Sequence, residues 1–269
     1  MVTKRTPRAA TALVTWLGCG LVMAAESGQR ISFVNCPVVR DTATVPCWLS
    51  EYEGEIYFLT LQTDVSSPVT PPWLGHRVLV EGTISDEPRI CGGIVVKPVH
   101  LSVLPDIDTS CNQVLPAEDK YNLTFEAPRP PGPSTGRLAF DNLRQTPAAA
   151  SPAEGAAGVR EFVVPYAFDG LVGFGHPRFL RQVLDYAIKS KTSEIEIVGY
   201  RGAALLSNGQ TLLEQPDIGK QRAEQVAMLL KSTELQASTF KVRWLEVPEP
   251  VNGTNDHLTR RVVVKVHTR

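Results

Sequence analysis

Glu194-Ile195-Glu196-Ile197-Val198-Gly199-Tyr200 decides the fold of the C-terminal half. Charged and apolar side chains alternate and then give way to an apolar end, the pattern of a β-strand with one face in a core. Upstream, residues 177–191 carry Leu180, Val183, Leu184, Ala187 and Ile188 at helical spacing, and Pro177 suits a first helical turn. Before them, Phe162-Val163-Val164-Pro165-Tyr166-Ala167-Phe168 reads as a strand. Downstream, Asp217 is placed to cap a helix whose Ala223, Val226, Ala227 and Leu230 share one face. Phe240-Lys241-Val242-Arg243-Trp244-Leu245 and Arg261-Val262-Val263-Val264-Lys265-Val266 complete a βαβαββ order over residues 159–269. That order predicts an α+β domain with its helices on one sheet face.

Residues 31–126 predict a different, all-β unit. Ile31-Ser32-Phe33-Val34, the β-forming run 55–62, and Arg77-Val78-Leu79-Val80-Glu81-Gly82-Thr83-Ile84 read as strands. Ile94-Val95-Val96 and Val99-His100-Leu101-Ser102-Val103-Leu104 follow, with Lys97-Pro98 between them marking a bulge or an edge. A small barrel or sandwich is expected, the favoured form being an oligonucleotide/oligosaccharide-binding-like (OB-like) barrel. Residues 127–158, with Pro128, Pro130, Pro131 and Pro133 and then an Ala/Pro/Gly stretch, read as a semi-flexible linker. The 269 residues thus divide into two folded units, in keeping with a prior of about two domains.

Lys plus Arg number 27 and Asp plus Glu 28, a formal charge of -1, so no basic excess supports nucleic-acid binding. Residues 1–25 read as an export signal. Lys4, Arg5 and Arg8 precede the nearly uncharged stretch 9–22, and Val22-Met23-Ala24 or Met23-Ala24-Ala25 offers a cleavage site. An uncleaved anchor is the competing reading. Cys19 after Gly18 is a candidate lipid-attachment site, although Trp16 and Leu17 depart from that motif. Membrane association is expected only if Cys19 is lipidated or the signal stays uncleaved. Removal of the signal leaves Cys36, Cys47, Cys91 and Cys111, an even set that reads as two disulfides in an oxidising compartment. Four cysteines allow three connectivities. Short local loops favour Cys36–Cys47 and Cys91–Cys111. Zinc is disfavoured, because no C-x-x-C pair exists.

Four pieces stand in register over roughly residues 160–267: Phe168-Asp169-Gly170, the strand ending in Gly199-Tyr200, Gln221-Arg222-Ala223-Glu224-Gln225-Val226 and Thr259-Arg260-Arg261-Val262. In these pieces the C-terminal unit resembles an OmpA-like domain, the peptidoglycan-binding module of Gram-negative envelope proteins. The resemblance implies a pocket for the carboxylate and amine of a diaminopimelate in the cell-wall stem peptide, formed around Tyr200, Arg201, Gly202, Arg222 and Arg260. Arg222 stands at the family's arginine position, where a guanidinium fork suits a carboxylate. The family's aspartate position is Gly202, and Arg201 replaces a small hydroxyl residue. The connection from Gly202 to Arg222 is also about five residues longer than the family pattern implies. The charge complementarity is broken. Either binding is weakened or altered, or another acid, Glu214 or Asp217, substitutes.

Other chemistry is poorly supported. His76, His100, His176, His257 and His267 show no metal-ligand spacing, and no G-x-S-x-G elbow exists. The glycines of Gly170-Leu171-Val172-Gly173-Phe174-Gly175 do not form a dinucleotide fingerprint. Glu51, Glu53 and Glu55 read as a solvated strand start. Trp48, Tyr52, Tyr57 and Trp73 read as core, with a sugar or peptide groove as the alternative. The expectation is a non-enzymatic periplasmic or outer-membrane-associated envelope protein without cofactor or metal, partnered by peptidoglycan or by other envelope proteins.

Overall fold

The computed structural model describes residues 26–62, 69–121, 123, 158–171, 177–233, 235 and 239–268. The expected signal peptide 1–25 with Cys19, and the expected linker 127–158 apart from Gly158, lie outside the described residues. The chain is mixed α and β, mostly sheet.

The N-terminal unit is one seven-stranded sheet, in the order β1-β5-β6-β4-β3-β2-β7. Its strands are β1 (Arg30–Asn35), β2 (Pro37–Arg40), β3 (Cys47–Tyr52), β4 (Glu55–Leu61), β5 (His76–Ile84), β6 (Ile94–Ile107) and β7 (Val114–Leu115). β1 and β2 are separated by Cys36 alone, yet they sit near opposite ends of the strand order. One run of chain therefore contributes to both sides, and the sheet curls back on itself. Most neighbours are antiparallel; β4–β6 and β2–β7 are parallel. Lys97 and Pro98, expected to divide two strands, lie inside the single long β6, and the β5–β6 register shifts opposite them. The two short strands β2 and β3 flank the turn after Arg40.

Ile31, Phe33, Trp48, Tyr57, Leu59, Val78, Val80, Ile84 and Val96 fill the barrel. β5 carries three consecutive apolar residues, Val78, Leu79 and Val80, for a spatial reason. Val78 and Val80 point into the barrel, while Leu79 and Glu81 point the other way and are buried as well, against the second unit. A strand covered on both faces loses its alternation.

The C-terminal unit runs β8 (Val159–Pro165), α1 (Pro177–Lys189), β9 (Glu194–Tyr200), β10 (Ala203–Leu205), β11 (Thr211–Leu213), α2 (Ile218–Lys231), β12 (Thr239–Leu245) and β13 (Arg261–His267). Its four-stranded sheet has the order β12-β9-β13-β8, with β12 parallel to β9 and β13 antiparallel to both neighbours. Leu180, Val183 and Ala187 of α1 and Ala223, Val226, Ala227 and Leu230 of α2 pack on Ile195, Ile197, Val262, Val264 and Val266. The stretch between Gly202 and Arg222 contains the β10–β11 hairpin. Asp217 occupies the N-cap position of α2, but the expected capping bond is missing. Its backbone is left-handed, with φ 61°, and its side chain makes no cap hydrogen bond.

The disulfides are Cys36–Cys111 and Cys47–Cys91, not the local pairs favoured by loop length. Barrel closure explains the correction. It brings Cys36, at the β1–β2 break, to 4.9 Å in Cα–Cα distance from Cys111, which follows β6 in sequence. The bridges span 75 and 44 residues, so in chain-entropy terms each removes roughly 4 kcal/mol of unfolded-state freedom, more than the local pairs would. Non-reducing peptide mapping is expected to link Cys36 to Cys111 and Cys47 to Cys91. Replacing both Cys36 and Cys111 by Ala should lower unfolding stability by about 2–4 kcal/mol in chemical denaturation.

Candidate functional site

Arg222 projects from the first turns of α2 toward the ends of β8 and β9. Every N–H of its guanidinium is already used. Nε donates to Gly170 O at 2.8 Å, Nη1 to Tyr200 O at 3.3 Å and Glu214 Oε2 at 2.9 Å, and Nη2 to Ala167 O at 3.0 Å and Glu214 Oε1 at 2.6 Å. A guanidinium has five donors, and five bonds are made. The fork also lies 4.7 Å over the Tyr166 ring. Both side chains of the Arg222–Glu214 pair are 0% exposed.

Glu214 is the acid that pairs with Arg222. It follows β11, so the β10–β11 hairpin delivers it. Besides the two Arg222 bonds, its Oε1 accepts from Asp169 N at 2.8 Å and its Oε2 from Gly202 N at 2.6 Å. Asp169 in turn accepts from Gln215 N at 2.7 Å, and burial raises its pKa above the usual carboxylate value. Gly202 is glycine for a spatial reason. A Cβ there would run into Arg260 Cγ and would meet Thr259 Oγ1 at 2.9 Å and Glu214 Oε2 at 3.1 Å. No larger side chain has room there, because Arg260 and the Glu214 carboxylate already fill the space.

Arg260 faces the other unit. It is 1% exposed and grips Glu81 of β5 through both terminal nitrogens, with Nη1 3.2 Å from Oε1. Burial raises the Glu81 pKa, against the lowering influence of Arg260. Around this pair the two units share a surface. Leu79, Phe168 and Ala204 form a small core with Val34, Leu104, Leu206 and Leu212. Phe168 N donates to Ser102 Oγ at 2.9 Å, and Arg30 Nη1 to Gly253 O at 2.9 Å. His100 of β6 stacks on His257 with ring centroids 3.6 Å apart. Burial, with His100 and Arg260 nearby, pushes the His257 pKa down to about 4; burial and Arg260 also lower that of His100.

Tyr200, Arg201, Gly202, Arg222 and Arg260 lie close together around Glu214, with their polar groups engaged inside the chain. Arg201 Nε donates to Glu214 O at 2.6 Å. Arg261 forms a two-bond pair with Glu249 and lies 4.3 Å over the Tyr200 ring. Glu81 was missed in the sequence. Its signal was a single acid inside the run Val78-Leu79-Val80-Glu81. Trp48 and Tyr57 are core and Tyr52 stacks on Phe33 at 4.7 Å, whereas Trp73 is 62% exposed. His176 lies outside the described residues. The ligand atoms of Cys36, Asp108 and Cys111 cluster within 4.8 Å, but both sulfurs are consumed by the disulfide.

No protein-family model matches the chain, and no curated protein matches it. Among solved structures, it is similar to a MotB-like protein from Desulfovibrio vulgaris, with 18% identity and a TM-score of 0.33, over 42% of this chain and 77% of that one. At this level neither fold family nor residue roles pass from that protein to this chain.

Glu214→Gln leaves a buried guanidinium without its counter-charge and should cost about 3–5 kcal/mol in chemical denaturation; a loss under 1 kcal/mol would contradict the closed network. Acid should also weaken the molecule through His257. Its native pKa is about 4, below the ordinary 6.5, so the unfolded state binds more protons between those values. Stability is full above pH 6.5 and falls as pH drops toward 4. The groups facing the stack are Arg260, Arg30, Asp256 and Glu81. Glu81 opposes the trend on acidification, because its pKa is raised. Thermal melts from pH 7.5 to 4 are expected to show a fall in Tm that His257→Gln reduces.

Proposed function

We propose that the protein is an exported envelope protein in which the OmpA-like unit serves as a docking partner, first of its own barrel and then of other envelope proteins, and not as a stem-peptide anchor. One observation carries this reading: all five donors of Arg222 are satisfied inside the chain, at zero exposure. A ligand carboxylate would have to displace Glu214, which accepts four bonds of its own. Removing such a partner from a buried pair costs about 3–5 kcal/mol before any ligand bond forms. Gly202 and the Glu81–Arg260 pair add to it, because they fill the remaining space and charge from both units.

The barrel is read as OB-like. The parallel β4–β6 pairing and the closure through Cys36 support that reading. The two disulfides are compatible with an oxidising compartment such as the periplasm. No helix among the described residues is long and apolar enough to cross a membrane. No enzymatic role is proposed.

Co-sedimentation of the full chain with purified peptidoglycan sacculi tests the proposal. The expected result is no retention that free diaminopimelate competes away. Saturable retention, released by millimolar diaminopimelate, would overturn it.

A further inference from the structure

We propose that the cleft beside the free edge of β1 binds an extended peptide that carries apolar and basic residues in alternation. The argument begins with the backbone of β1. This strand pairs with β5 along one edge. On its other edge, Ser207 of the turn between β10 and β11 has already docked: Ser207 N donates to Ser32 O at 2.7 Å, and Ser32 N donates to Ser207 Oγ at 2.9 Å. That edge therefore accepts a partner's backbone groups. Backbone direction alternates with period two along a strand, so Val34 aims its N–H and C=O along the same edge, one step beyond the docked turn.

Val34 lines a cleft of about 650 Å³ between the barrel and the hairpin. Leu104, Leu206 and Leu212 give it apolar walls, and Ile107, 76% exposed, extends them outward. Ser32 also lines it. It is 7% exposed, so it meets the cleft chiefly through its main chain. The charge at the mouth selects the occupant. Asp108 is committed to Arg77 at 2.8 Å and to Ser110. Asp106 has no ion-pair partner among the described residues and leaves the rim net negative. A strand edge supplies main-chain bonds, the apolar walls take alternate side chains, and Asp106 takes a cation; this is strand addition to an open sheet edge. The inference rests on the docking reading, and the two fail separately. Sacculus binding competed by diaminopimelate would contradict that reading, whereas the groove is judged by a peptide titration.

The probe is a fluorescent hexapeptide of alternating lysine and leucine, titrated with the full chain and read by anisotropy. Saturable binding is expected, weakened at least tenfold when alternate backbone nitrogens of the probe are methylated. A glutamate–leucine probe should bind at least tenfold more weakly. Asp106→Asn should raise Kd about threefold or more. Val34→Pro, which deletes the outward N–H of an edge strand, should raise it about tenfold. The methylated probe and Asp106→Asn keep the test decisive if Val34→Pro folds poorly. No saturation by 1 mM, equal binding of the methylated probe, or no effect of Asp106→Asn would overturn the proposal. Self-association competing with the probe would assign the edge to a second copy and overturn it too.

Discussion

Arg222 and Glu214 form a closed unit: five donors on one side and four accepted bonds on the other, with no exposed atom in either side chain. Burying two charges is costly, and attraction repays the cost only when the remaining hydrogen-bonding capacity is filled. Here it is filled by main-chain groups of two segments, 167–170 and 200–202. The carbonyls of Ala167 and Gly170 come from the turn after β8, that of Tyr200 from the end of β9, and the amides are those of Asp169 and Gly202. The pair thus fixes how the β8 turn, the β9 end, the hairpin and α2 converge. The same convergence presents Phe168, Ala204 and Arg260 to the barrel, so the inter-unit surface depends on it.

The second pair has a different character. Arg260 and Glu81 join residues 179 apart in sequence, one from each unit. Arg260 Nε is buried without a hydrogen-bond partner, so this pair is less fully satisfied than the first. The polar cross-links between the units, Ser102 to Phe168, Ser32 to Ser207 and Arg30 to Gly253, surround a modest apolar patch. The His100–His257 stack makes that surface sensitive to acid, because burial first, and Arg260 nearby, disfavour charge on either ring.

Much of the secondary structure was legible because it follows from local periodicity. The alternation in Glu194 to Tyr200, the helical spacing of Leu180, Val183 and Ala187, and the apolar run of β5 each identify an element from neighbours in sequence. The extra length after Gly202 marked where the pattern departs, and Glu214 was one of two acids able to substitute. Asp217, the other, failed even as a cap because its backbone is left-handed there. The disulfide pairing was not legible, since it depends on how the barrel closes and not on loop length. Glu81–Arg260 and His100–His257 were hidden for the same reason: they join segments more than 150 residues apart. Gly202 reads as a loss in the sequence, and its meaning depends on Arg260 and Glu214 occupying the space beside it.

The central claim is that the arginine at the resembling ligand position is spent inside the fold. Nitrogen–proton NMR of the arginine side chains during titration with diaminopimelate tests it directly. The account predicts a slowly exchanging Arg222 Nε–H that does not shift at millimolar ligand. A rapidly exchanging Arg222 signal that moves saturably with ligand would contradict it.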